Sequence, residues 1–114
     1  MEVDVEPGAH IPRPVFVLAR AAQAEMITVQ ALGQNPARVG GVRYWTIAVA
    51  GRGIVPDLAK VTYGETPTGY VAAAPALALF PGRYELNITA AGRIARSYFR
   101  VQDDGSVIDA TAFY

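Results

Sequence analysis

Cysteine is absent from this 114-residue chain, so disulfides, thiolate catalysis and cysteine-held zinc are excluded by arithmetic. The redox compartment stays open, because cysteine-free domains fold in oxidising and reducing environments alike. Histidine occurs once, as His10 in a proline-rich lead-in, with no second imidazole to complete a metal site. It reads as a loop residue. Serine occurs only at Ser97 and Ser106. Neither stands at a nucleophile elbow, and a Ser-His-Asp triad would have to draw His10 from a sheet edge. Ten basic residues balance ten acidic ones, and no basic stripe runs along the chain. Binding to nucleic acid by phosphate neutralisation is therefore not expected. No apolar run approaches the roughly 20 residues that cross a bilayer. Met1 leads straight into "EVDVEP", which carries no signal-peptide pattern and reads equally as a true start or a trimmed edge.

Apolar residues, by contrast, make up 52% of the chain against 18% charged, which rules out a disordered polypeptide. One domain over residues 1–114 can bury a real core, with 1–13 as an extended lead-in. Nine arginines to one lysine, with abundant alanine, read as compositional bias and not as a binding signal.

Alternating segments separated by Gly, Pro and Asn turns predict an antiparallel sandwich or barrel. "EVDVE" (2–6), "MITVQAL" (26–32), "VRYWTIAVA" (42–50), "RYELNITA" (83–90) and "RIARSYFRV" (93–101) are the clearest strands. The last two form a hairpin around "AAGR". "GQNPARVGG" is a loop. "AKVTYG" (59–64), "TGYVAAA" (68–74), "ALALF" (76–80) and "SVIDATAFY" (106–114) are shorter strand candidates. "PVFVLARAAQAEM" is two-sided. "VFVL" favours a strand over 14–19, whereas "ARAAQAE" favours a helix with Pro14 at its first position.

"PGRYELNIT" (81–89) carries the most information. Pro81-Gly82 turns the chain, and Tyr84, Leu86 and Ile88 then alternate inward. A tyrosine entering a strand from a turn fills the core edge with its ring while its hydroxyl reaches back to the backbone. This resembles the tyrosine corner of immunoglobulin-like and fibronectin type III sandwiches, and Trp45, in mid-strand, resembles the tryptophan such domains bury. The resemblance covers about residues 14–101 and implies an all-β, two-sheet antiparallel immunoglobulin-like sandwich of about seven to nine strands. Without a disulfide, aliphatics such as Val29, Ile47 and Leu86, with Phe99, would close its core.

Little chemistry is advertised. Glu2, Asp4 and Glu6 share one face of the first strand, where charges guard a sheet edge more readily than they bind calcium. Asp103-Asp104-Gly105 is turn chemistry. "GRG" (51–53) lacks the flanks of a phosphate loop, and "NIT" (87–89) lies mid-strand, a poor glycosylation acceptor. If the strands of Trp45, Tyr84 and Phe99 lie side by side, one outward face gathers Tyr44, Thr46, Glu85, Asn87, Thr89, Arg96, Tyr98 and Arg100. Tyr44, Glu85, Asn87, Arg96, Tyr98 and Arg100 are the candidate binding residues, because Tyr and Arg anchor interfaces. The same residues also suit a solvated face of cross-strand pairs.

The expected function is a non-catalytic, lipoprotein-type module of a bacterial cell envelope or periplasm acting through contacts with another protein. No catalytic residue, cofactor or metal is assigned. The alternative is a small-ligand or carbohydrate-binding module using Tyr44, Tyr63, Tyr70 or Tyr98 as stacking platforms.

Overall fold

The structure, a computed structural model, describes residues 3–32, 43–50, 57–90 and 92–110, the side chains of 19–22 and 74 excepted. Among these residues the chain forms nine strands and no helix. They are β1 (Val3–Val5), β2 (Val15–Ala22), β3 (Met26–Ala31), β4 (Arg43–Val49), β5 (Leu58–Thr62), β6 (Tyr70–Ala74), β7 (Gly82–Ala90), β8 (Arg93–Val101) and β9 (Val107–Asp109).

Two antiparallel sheets result, one of three strands in the order β1-β2-β5 and one of six in the order β6-β4-β3-β7-β8-β9. The expected all-β, two-sheet architecture is observed. The ambiguous segment is a strand. β2 pairs with β1 on one side and β5 on the other, and its register shifts between Val17 and Ala22, where the alanine-rich half begins. Phe16 and Val17 pair on both edges and Ala22 pairs with Leu58, and this pairing outweighs the local helical tendency of the alanine-rich half.

Three expectations need correction. Residues 76–80 are not a strand. Pro75 and Pro81 bracket the run and remove two ladder donors, leaving Leu77 N–H to donate to the Tyr44 carbonyl at 2.8 Å while Leu79 is buried. The last strand spans only Val107–Asp109, and residues 111–114 lie outside the described set, as do residues 33–42 with the whole of the expected loop. Third, the strands of Trp45, Tyr84 and Phe99 are not consecutive neighbours, because β3 lies between β4 and β7.

The core fills the space between the sheets. Phe16 of β2 meets Phe99 of β8 at 4.9 Å between ring centroids, and Tyr63, one residue past β5, meets Trp45 edge-on at 5.2 Å. Ile27, Val29, Ile47, Leu86 and Ile88 complete the six-stranded side, all essentially inaccessible. Burying each such side chain contributes about 1.5–3 kcal/mol, and the aromatic pairs add about 0.5–1.5 kcal/mol beyond area. The lead-in is not simply extended. After β1 it bends and crosses to the other sheet, where Ile11 N–H donates to Gly105 O at 2.9 Å and Val107 N–H to Ala9 O at 3.0 Å.

Candidate functional site

Tyr84 occupies the expected corner. Its ring is buried and stacked on Phe99 at 5.1 Å, while its hydroxyl donates to Phe80 O at 2.7 Å and accepts from Phe80 N–H at 3.0 Å. Burial pushes its phenol above the ordinary value, so it stays a neutral hydroxyl able to do both. Trp45 is equally buried. Both rings lie in the layer between the sheets, as the sequence pattern required.

The outer face of the six-stranded sheet follows from register. Thr28 pairs with Thr46 and Asn87, and Asn87 with Arg96, which makes one row across four strands. Gln30, Glu85 and Tyr98 form the next row, and Arg83 with Arg100 the one beyond. Of the six candidate binding residues, Glu85, Asn87, Arg96, Tyr98 and Arg100 therefore share this face. Glu85 Oε1 accepts from Gln30 Nε2 at 2.9 Å and from Asn87 Nδ2 at 2.7 Å, which fixes the carboxylate in place. Asn87 Oδ1 and Thr46 Oγ1 are buried without a hydrogen-bond partner, although Thr46 is only 4% exposed. Leaving such atoms unpaired costs about 1–3 kcal/mol each.

Tyr44 does not join them. Between Val29↔Trp45 and Gln30↔Arg43 the ladder shifts by one residue, so Tyr44 is the extra residue of a β-bulge in β4. It turns to the Trp45 side and meets Tyr84 edge-on at 5.3 Å. Arg43 takes the outward place opposite Gln30 instead. Strict alternation missed this, because a bulge inverts parity beyond it.

Two further tyrosines are also not platforms. Tyr63 and Tyr70 are buried, and their hydroxyls donate to the backbone carbonyls of Leu77 at 2.6 Å and of Ala24. They cover the core, as the edge-strand view of residues 62–79 allowed. Burial raises both phenols above their ordinary value.

Sequence reasoning missed two features. Among the described strand residues of the outer face, four guanidiniums (Arg43, Arg83, Arg96, Arg100) stand against one carboxylate, Glu85. A neutral chain thus carries a cationic face, assembled from positions far apart in sequence. The second is an apolar row at the other end of the same face, where Val71, Ala48, Met26, Thr89 and Ile94 lie side by side across five strands. Met26 is 42%, Val71 50% and Ile94 60% exposed.

Elsewhere, Glu6 lies 3.6 Å from Lys60, and β1 is an edge strand. Glu2 falls outside the described residues. No group of three or more His, Asp or Glu that could hold a metal occurs among the described residues, and they contain no helix long and apolar enough to cross a membrane. No family model, curated protein or solved structure matches this chain.

Proposed function

We propose that this chain is a non-catalytic binding module that receives a partner protein on the outer face of its six-stranded sheet. One observation carries the proposal: a single sheet face joins an exposed apolar row and four arginines. Interfaces are enriched in Met, Tyr and Arg, and an exposed apolar row loses its contact with water when a partner covers it. The charge calls for an acidic partner. A second copy docked on the same face would set arginine against arginine, which argues against self-association there.

The kinship proposed is immunoglobulin-like. Its support is the pairing of β2 with β5, of β3 with β7 and of β7 with β8, together with a tyrosine corner at the start of β7. The departure is β6, which enters between β5 and β7 and joins the β4 edge. The proposed setting, a bacterial envelope or periplasm, rests on the alanine- and arginine-rich, turn-dense sandwich with arginines and Tyr98 on its outer face, and is tested by fractionating cells that express the native gene.

The docking face is tested by affinity capture on the immobilised chain. Binding of an acidic protein should weaken as salt is raised, because such contacts are screened beyond about 8–10 Å at physiological ionic strength. Arg96→Ala with Tyr98→Ala, and separately Ile94→Glu, should abolish capture while leaving the melting curve nearly unchanged. Undiminished capture by both variants removes the face from consideration, and recovery of nucleic acid in place of protein overturns the partner class.

A small-ligand reading is favoured by one specific feature, a cleft beside the tyrosine corner.

A further inference from the structure

At the end of the sandwich where β3 leaves the sheet, a half-open cleft of about 570 Å³ lies beside the tyrosine corner. Its lining includes Leu32, Tyr44, Phe80, Arg83, Arg100 and Asp103. Three properties of this cleft point to a ligand. Arg83 and Arg100 are directly opposed across the β7–β8 ladder, which brings two forked donors to one side of the cleft. Two guanidiniums against the one carboxylate of Asp103 leave a single net positive charge, which suits a monoanion better than a phosphate dianion. Phe80, finally, is a large aromatic left 62% exposed, yet it does not sit on a loose loop. Its own N–H and C=O are both held by the Tyr84 hydroxyl, so its backbone is fixed at the rim of the cleft. With the backbone already fixed, binding has only the ring's own rotamers to order.

We propose that this cleft binds a carboxylate carried on a small aromatic or apolar body. The Arg83 and Arg100 guanidiniums hold the carboxylate in the forked geometry that guanidinium and carboxylate share, and Phe80, Tyr44 and Leu32 receive the apolar portion. Such a group occurs in free aromatic acids and at the carboxyl terminus of a peptide ending in an aromatic residue. The cleft shares Arg83 and Arg100 with the cationic face, but the docking face is tested at Ile94, Arg96 and Tyr98, none of which lines the cleft, so the two proposals fail separately.

The test is titration of the isotopically labelled full chain with phenylacetate and with N-acetylphenylalanine, followed by amide NMR. Saturable shifts are expected at Leu32, Arg83 and Arg100, with a dissociation constant of about 1 mM or below. Tighter binding of phenylacetate assigns a free acid, and tighter binding of N-acetylphenylalanine assigns a peptide terminus. Arg100→Gln and Phe80→Ala should each weaken binding at least tenfold, with the spectrum otherwise preserved, whereas Arg96→Ala should leave it unchanged. The proposal is overturned if neither acid gives saturable shifts, if the methyl esters bind equally well, or if inorganic phosphate binds as tightly as the acids.

Discussion

Tyr84 joins core and turn in one residue. Its ring stacks on Phe99, and its hydroxyl serves both backbone polar groups of Phe80, four positions upstream. Tyr84→Phe keeps the packing and removes only the hydroxyl. Because Phe80 is largely exposed, water can replace the lost bonds, so the expected cost is about 1 kcal/mol. It should be read as a lower denaturant midpoint at unchanged slope. A loss near zero would mean that the corner is held by packing alone. The alternation of "RYELNIT" made this residue legible, since the pattern fixed both its inward direction and its place after the turn. Tyr44 was not legible. Nothing in "VRYWTI" announces the bulge that sends it inward and Arg43 outward, because the register shift arises from β4 fitting against β3.

Among the elements, the lead-in strap has the clearest pH response. His10 Nδ1 lies 2.7 Å from Ile11 O and Nε2 lies 2.9 Å from Asp104 O. Only the protonated ring supplies a donor to each. The bond to Ile11, then that to Asp104, raises the His10 pKa above its ordinary 6.5, with a smaller contribution from the Asp104 charge. The folded chain therefore holds this proton more tightly than the unfolded chain. The stabilisation is complete below about pH 6.5 and disappears as pH rises through the higher folded value. Asp104 works in the other direction. Two bonds from Ser106 lower its pKa, so its contribution is lost only as pH falls through the acid range. Thermal melts should accordingly fall on going from pH 6 to pH 8, and His10→Gln should flatten that decline. Gly105→Ala should flatten it too. Gly105 has φ +88°, and a Cβ there would come within 2.5 Å of His10 Cε1, displacing the ring. Left-handed strain adds about 1–2 kcal/mol of pH-independent loss. An unaltered pH profile in both variants would place the titrating group elsewhere.

At the scale of the whole molecule, stability rests on contacts between sheets of unequal size. Phe16 is the largest side chain that the three-stranded sheet sends inward, and it reaches Phe99 directly. Phe16→Ala should cost about 3–5 kcal/mol. That is a large share of the roughly 5–15 kcal/mol that holds a domain of this size together, and it should appear in one cooperative unfolding transition. Two separate transitions would mean that the sheets do not share a core. The candidate surface also belongs to this scale. Arg43, Arg83, Arg96 and Arg100, like Met26, Val71 and Ile94, become neighbours only after five strands have paired. In one dimension the same arginines look like compositional bias in a neutral chain.

Taken alone, the sequence determined the all-β class, the inward tyrosine and tryptophan, the β7–β8 hairpin and the exclusion of cysteine chemistry. All of these depend on residue type or on a period of two, and both are local properties. Only the tertiary structure decided that β3 stands between β4 and β7, that the β2 segment is a strand, and which charges share a face. Those outcomes depend on which strands pair and in what register, and that is settled by side chains dozens of residues apart competing for one buried layer.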